Sequence, residues 1–274
     1  MKKKFFAIIG DPVSHSLSPI LHNYWFKKYK IEAEYNLLNI ESKDLETVIK
    51  KIRNGELNGI NVTLPYKQKI IPYIDKLIND AEETKSVNTV FLDDAGILVG
   101  ENTDVFGLQV AYLKEISEFK NKKALVIGAG GVSPSVVFAL QKSKIQDITV
   151  VNRTYEKSLF LKKKFRNLNI LKWDLLKENI DKYDVIINAT SLGLKNGQEF
   201  SFDFKNVKDN LIYIDTIYNP LQTKTVKYLE KNNKKTFSGL EMFIHQGQKS
   251  FYLWTKINPE IDNNLVEILK SKLK

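Results

Sequence analysis

The chain has 274 residues, enough for two domains or one large one, and its 43% hydrophobic content fills real cores, which excludes a disordered chain. No apolar run approaches the ~18 residues that span a bilayer, and with no cysteine there is no disulfide framework, in keeping with a reducing cytoplasm. The net charge of +10 is almost all lysine, with Arg53, Arg153 and Arg166 the only arginines, and no zinc-finger, RNP or helix-turn-helix pattern accompanies it, so no nucleic-acid and no membrane partner is expected.

Lys4–Ile9 reads as a first β-strand. The basic start and short apolar run imitate a signal peptide, but the run is too short and Asp11-Pro12 stands where a small-residue cleavage site belongs. Ser14-His-Ser-Leu-Ser-Pro19 follows, with Ser18 placed as N-cap and Pro19 at the first position of a helix to Tyr29. Capping explains Ser18 but not Ser16, and two hydroxyls at a helix N-terminus make a natural carboxylate cradle. His15, His22 and His245 show no metal-ligand spacing and are read as structural; no metal is expected.

After a strand at Tyr35–Ile40 and a helix near Asp44–Arg53 comes Gly59-Ile-Asn-Val-Thr-Leu-Pro-Tyr-Lys67, the most informative stretch. Pro65 cannot donate to a β-ladder and ends the strand, leaving Asn61 and Thr63 on one face and Lys67 just beyond. Polar groups at a strand's carboxyl end are where α/β sheets hold ligands, although an ordinary strand exit with a solvated lysine has the same appearance. Val87–Leu92 and Ile97–Val99 flank Asp93-Asp-Ala-Gly96 as a hairpin. Its ends carry Asn88-Thr89 and Glu101-Asn-Thr-Asp104, where Asp104 equally suits a helix N-cap.

A second α/β block begins at Lys122. Strand Lys123–Ile127, the turn Gly128-Ala129-Gly130-Gly131, and a helix opened by Pro134 give a GxGxxG-like turn its required context, with Ser133 in place of the third glycine. A tight β–α connection alone has the same look. The next strand, Ile148–Val151, ends in Asn152-Arg153-Thr154, where NAD-binding folds place an acid. Arg153 offers a fork suited to a 2′-phosphate, with Thr154 and Lys157 as further donors, so NADP(H) is expected as cofactor and not NAD. Strand Val185–Asn188 runs into Asn188-Ala-Thr190-Ser191, strand Leu211–Asp215 into Asp215-Thr-Ile-Tyr218-Asn-Pro220, and Gly239-Leu-Glu-Met242-Phe-Ile-His-Gln246 opens a helix to Trp254; Met242 there reads as core. A last helix covers Ile261–Leu273.

In this order the segments resemble the shikimate dehydrogenase family over nearly the whole chain: Ser-x-Ser-Pro, Asn-Val-Thr-x-Pro-x-Lys, Asn-Thr, Asn-Thr-Asp, Gly-Ala-Gly-Gly, Asn-Arg-Thr, Asn-Ala-Thr-Ser, Asp-x-x-Tyr-x-Pro and Gly-x-x-Met-x-x-x-Gln-Gly. The resemblance implies an α/β protein of two domains with the active site in the cleft between them. An N-terminal substrate domain with a mostly parallel sheet (1–104) would be completed by C-terminal helices (240–274), and 105–239 would form a Rossmann-like NADP-binding domain. It implies NADPH-dependent reduction of 3-dehydroshikimate to shikimate without a metal, by a cytoplasmic monomer or homodimer. Lys67 and Asp104 would be the catalytic pair. Ser16 and Ser18 would hold the substrate carboxylate, and Asn61, Thr63, Asn88, Gln246 and Tyr218 its ring and hydroxyls. Gly128, Ala129, Gly130 and Gly131 would take the pyrophosphate, Asn152, Arg153, Thr154 and Lys157 the phosphorylated ribose, and Thr190, Gly239 and Met242 the rest of the cofactor. Ser133-Pro134-Ser135 departs from the family's pattern, which often has a basic residue at the middle position, and leaves that cradle less charged. The alternatives are a quinate/shikimate dehydrogenase of dual specificity, a folate-linked methylene dehydrogenase, and a non-catalytic dinucleotide sensor.

Overall fold

The computed structural model describes residues 2–114, 121–194 and 198–273. The chain divides into two compact units, one of Met1–Phe106 with Ile244–Lys272, the other of Gly107–Phe243 with Leu273–Lys274.

In the first unit the strands are β1 (Lys4–Gly10), β2 (Ala33–Asn39), β3 (Gly59–Val62), β4 (Lys76–Leu77), β5 (Thr89–Leu92) and β6 (Leu98–Glu101). They form one sheet in the order β2-β1-β3-β5-β6-β4. β1 pairs in parallel with β2 and β3, β5 runs antiparallel to β3 and β6, and β4 lies parallel to β6. The expected hairpin is present, and Gly96 at its turn has φ +77°, a conformation that side chains resist. Helix α1 (Ser18–Lys28) starts one residue earlier than the Ser-Pro pair suggests, with Leu17 at the N-cap and no side-chain cap. Ser16 takes over that work, its hydroxyl accepting from the Ser18 N–H at 3.2 Å. Further helices are α2 (Leu45–Arg53), α3 (Asp80–Thr84) and α4 (Thr103–Leu108), the last continued by a π-turn over Gln109–Leu113.

In the second unit β7 (Lys123–Ile127), β8 (Asp147–Val151), β9 (Leu168–Leu171), β10 (Val185–Asn188), β11 (Ile212–Asp215) and β12 (Lys235–Phe237) form an all-parallel sheet in the order β12-β11-β10-β7-β8-β9. Helices α5 (Ser133–Lys142), α6 (Tyr155–Lys164), α7 (Leu176–Asn179) and α8 (Lys224–Lys231) connect them. The strand order reverses between β7 and β10, and such a switch point opens a crevice at the carboxyl ends of the strands. β9 and β12, like β4, are short edge strands of mixed polarity, which is why periodicity alone does not reveal them. No helix among the described residues is long and apolar enough to cross a membrane.

The chain then returns through α9 (Leu240–Thr255) and α10 (Asn263–Ser271). From Ile244 onward α9 belongs to the first unit, where Leu253 and Trp254 pack with Phe91 and Val99 of its sheet. Gly59 makes room for this, since a Cβ there would stand 2.6 Å from the Trp254 indole nitrogen. His22 lies fully buried among these aromatics, stacked on Tyr35 at 4.5 Å, and neither ring nitrogen has a hydrogen-bond partner among the described residues. Burial pushes its pKa down from 6.5 to about 3, against a weaker upward pull from nearby Asn61.

Folding therefore keeps this ring neutral, while the unfolded chain protonates it below pH 6.5. Its contribution to stability is complete above pH 6.5 and is lost as the pH falls towards about 3. The slope is at most about 1.4 kcal/mol per pH unit. Exchanging the ring for a non-titrating one (His22→Phe) should flatten that slope in urea melts taken at about pH 7 and about pH 4.5. An equal loss in the variant and the parent would remove His22 from the acid response.

Candidate active site

On the first unit, the polar residues gather at the strand ends. Lys67 follows β3 by five residues and donates from Nζ to Asp104 Oδ2 at 2.6 Å, with side-chain exposures of 12% and 6%. The other carboxylate oxygen, Oδ1, accepts from Asn88 Nδ2 at 2.9 Å, and Nδ2 also lies 3.4 Å from Gln246 Oε1 on α9. Asp104 is not the helix cap that its position also suits. Asn102 takes that place, its Oδ1 accepting from the Asp104 N–H at 3.1 Å, so the aspartate is left to face the lysine.

The orientation of Asn88 is set by the backbone. Its Oδ1 accepts from the Thr103 N–H at 2.8 Å, a group that can only donate, so its Nδ2 must be the end that faces Asp104. Asn61 behaves differently from the sequence expectation. β3 is central and covered on both faces, so the polar side of its alternation does not meet solvent, and Asn61 is 4% exposed. Its Oδ1 accepts from Tyr35 OH at 2.7 Å, and its Nδ2 donates to Asn88 O, Thr89 Oγ1 and Ser250 Oγ at 3.0–3.1 Å. Thr89, Thr103 and Ser250 join their hydroxyls beneath Asn88 in a buried network that residue spacing did not reveal.

Thr63 is half-buried just past β3, brought close to β1 by Gly10, where a Cβ would stand 2.5 Å from the threonine methyl. Ser16 Oγ and Ser18 Oγ are 3.1 Å apart at the start of α1. A hydroxyl pair at a helix N-terminus, a threonine hydroxyl, two carboxamides and a lysine–aspartate pair together suit a small polyhydroxylated carboxylate.

On the second unit, the glycine turn stands at the switch point. Gly128 has φ +117°, and a Cβ on it would meet Ala189 O at 2.7 Å, so only glycine lets β7 and β10 approach here. At Gly130 a Cβ would meet nothing within 4 Å. That opening, with the N-terminus of α5 behind it, fits a pyrophosphate. Asn152 ties the turn down: its Oδ1 accepts from the Ala129 N–H at 3.0 Å and its Nδ2 donates to Thr154 O at 2.8 Å. Gly130 N–H donates to Ser133 Oγ at 2.9 Å, a use for the serine that replaces the third glycine.

Arg153 is exposed beside the turn, in a cleft of about 320 Å³ lined also by Asn152, Tyr155, Lys172, Trp173 and Asp174. Thr154 and Lys157 do not line it, and the second cation comes from the end of β9.

Next along the sheet, Thr190 donates from Oγ1 to Asn188 Oδ1 at 2.7 Å. Asn188 Nδ2 in turn reaches Asp215 Oδ1 at 3.1 Å. Asp215 also accepts from the Ile217 N–H and the Thr223 hydroxyl, and burial pushes its pKa up to about 6. It thereby fixes the loop that carries Tyr218, whose ring stacks on Phe243 at 4.6 Å. Gly239 lies so near this loop that a Cβ would stand 2.4 Å from Thr216 O. Met242 is buried, and its N–H donates to Tyr112 OH at 3.2 Å.

Three family profiles match the chain: the shikimate dehydrogenase substrate binding domain over residues 8–90, shikimate / quinate 5-dehydrogenase over 111–220, and the shikimate 5′-dehydrogenase C-terminal domain over 239–263. A shikimate dehydrogenase (NADP(+)) of Pelagibacter ubique is 44% identical over 267 residues, 97% of this chain and 99% of that protein. Among solved structures, shikimate 5-dehydrogenase of Thermus thermophilus in complex with NADP(H) and shikimate superposes with a TM-score of 0.87 at 30% identity, covering 98% of this chain and 100% of that one. Quinate dehydrogenase of Corynebacterium glutamicum in complex with NAD has a TM-score of 0.89 at 25% identity, covering 98% and 99%. With a lysine–aspartate pair on one unit, a glycine turn and an exposed arginine on the other, and these likenesses end to end, the chain belongs to the shikimate dehydrogenase family.

Proposed function

We propose that this protein is an NADP(H)-dependent shikimate dehydrogenase, an oxidoreductase acting on a CH–OH group. It would reversibly reduce 3-dehydroshikimate to shikimate on the route to chorismate and the aromatic amino acids. The observation that carries the reading is the 2.6 Å contact of Lys67 Nζ with Asp104 Oδ2, held on its other side by Asn88. The residues of the second unit fit NADP(H), with the turn at Gly128–Gly131 for the pyrophosphate and Arg153 for the 2′-phosphate; Thr190, Gly239 and Met242 would border the rest. When bound, the reduced cofactor supplies the hydride.

Reduction of a ketone also needs one proton for the oxygen that becomes the hydroxyl. Lys67 would deliver it from Nζ and recover it in the reverse direction. Asp104, with its two oxygens engaged by Lys67 and Asn88, orients the ammonium and the substrate hydroxyl. Ser16 and Ser18 would hold the substrate carboxylate, and Thr63, Asn88, Gln246 and Tyr218 its hydroxyls and ring. Asn61 has its polar atoms engaged within the fold and would act by positioning Asn88. We place the enzyme in the cytoplasm as a monomer or homodimer, with no nucleic-acid partner.

The quinate dehydrogenase likeness keeps one competitor in view, an enzyme of dual specificity. Purified protein assayed with shikimate or quinate, each against NADP⁺ and NAD⁺, separates the two. Turnover confined to shikimate with NADP⁺ is expected. Comparable rates with quinate or NAD⁺ would assign dual specificity, and silence in all four would leave a dinucleotide-binding protein without this activity.

A further inference from the structure

β8 and β9 run parallel with Val151 opposite Leu171, so the residues that follow them, Asn152-Arg153 and Lys172-Trp173, leave the sheet side by side. The cleft that opens there has two cations, Arg153 and Lys172, one acid, Asp174, and two aromatic walls, Tyr155 and Trp173. Both cations are exposed, and neither is paired with a carboxylate among the described residues. Trp173 is half-buried, part of its ring packed against the apolar core of the second unit, which makes it a fixed flat surface and not a freely rotating side chain. Neither Lys172 nor Trp173 belongs to a motif, and β9 itself escapes a reading of the sequence.

A flat aromatic wall next to two unpaired cations fits a purine on a phosphorylated ribose. Aromatic faces stack on bases, and two cations match the charge of a phosphate monoester, which is close to −2 at neutral pH. A second cation in the cleft itself adds charge beside Arg153 and offsets Asp174, which would oppose the phosphate. We propose that Lys172 and Trp173 complete the adenosine 2′-phosphate subsite. Lys172 shares the phosphate with Arg153, and Trp173 gives the adenine its stacking face. This rests on the NADP(H) reading above and extends it to two residues that set the preference for the phosphorylated cofactor. Lys172 adds to the donors that Arg153, Thr154 and Lys157 offer the phosphate.

The test uses the full chain with 2′,5′-ADP and 5′-AMP as probes, followed by intrinsic fluorescence. Of the three tryptophans, Trp25 and Trp254 belong to the first unit, so quenching by a nucleotide at this cleft should come from Trp173. Trp173→Phe should abolish the quench while equilibrium dialysis still detects weakened binding. Lys172→Ala should weaken 2′,5′-ADP about tenfold and raise the KM of NADP⁺ to match, leaving 5′-AMP affinity and the KM of shikimate within about twofold. A Lys172→Ala protein that binds 2′,5′-ADP like the parent, or a Trp173→Phe protein with the full quench, would overturn the assignment. Arg153→Ala separates the two levels of the argument. If it weakens 2′,5′-ADP and Lys172→Ala does not, only the extension fails; if neither variant has an effect, the NADP(H) reading fails with it. Lys172 is exposed, so its variant folds even if the Trp173 variant does not, and the test stands.

Discussion

Lys67→Ala lowers kcat for shikimate oxidation by about 10³-fold while the KM of shikimate changes no more than severalfold. The expectation comes from where the lysine is held. Its Nζ sits against Asp104 Oδ2, with 12% of the side chain exposed, so a proton passed from it would start beside that carboxylate and largely screened from bulk water. Positioned acid–base groups contribute roughly 10²- to 10⁴-fold, and the interaction strengthens as charge develops on the substrate oxygen. Truncation therefore acts on the transition state more than on ground-state binding. The buried carboxylate left behind would also lose a partner, so the variant's melting temperature should be measured alongside. Full turnover with only a weakened KM would give Lys67 a binding role and move the proton transfer elsewhere.

Arg153→Ala raises the KM of NADP⁺ by roughly 10- to 100-fold and barely alters that of NAD⁺, the range expected for losing hydrogen bonds to a charged group. Arg53, at the end of α2, is by contrast spent on Asp75 through contacts of 2.7 and 3.0 Å. Arg153 has no such partner among the described residues, and its neighbour Asn152 is committed to Ala129 and Thr154. The guanidinium therefore costs the fold little to remove, and a change in cofactor preference is not confounded by unfolding. Equal losses for the two cofactors would mean that Arg153 contacts a part they share.

Much of this is legible in the residues alone. The strand–helix alternation of both units, the hairpin at Asp93–Gly96, the glycine turn after β7 and the motifs at the carboxyl ends of β3, β8, β10 and β11 follow from local rules. Glycine permits a positive φ, proline ends a ladder, and apolar runs bounded by turns become buried strands. Such rules act over a few residues, and the sequence by itself determined the long, strongly patterned elements, their order and the chemical groups at their ends, while the short edge strands β4, β9 and β12 escaped it.

What the tertiary structure alone decided is which of those groups are spent inside the fold. Asn61 and Thr63 read as alternating along one strand, yet Thr63 falls just past β3 and Asn61 is turned into a network with Tyr35, Thr89 and Ser250, because β3 is a central, wholly buried strand. Asp104 is released from capping only because Asn102 accepts its N–H, a choice between two nearby residues that spacing leaves open. Lys172 rather than Lys157 lines the Arg153 cleft, since β9 pairs with β8 and delivers its end there. For Asn61 and Lys172 the deciding partner is supplied by sheet pairing and burial from elsewhere along the chain, and periodicity along a single element carries no record of it.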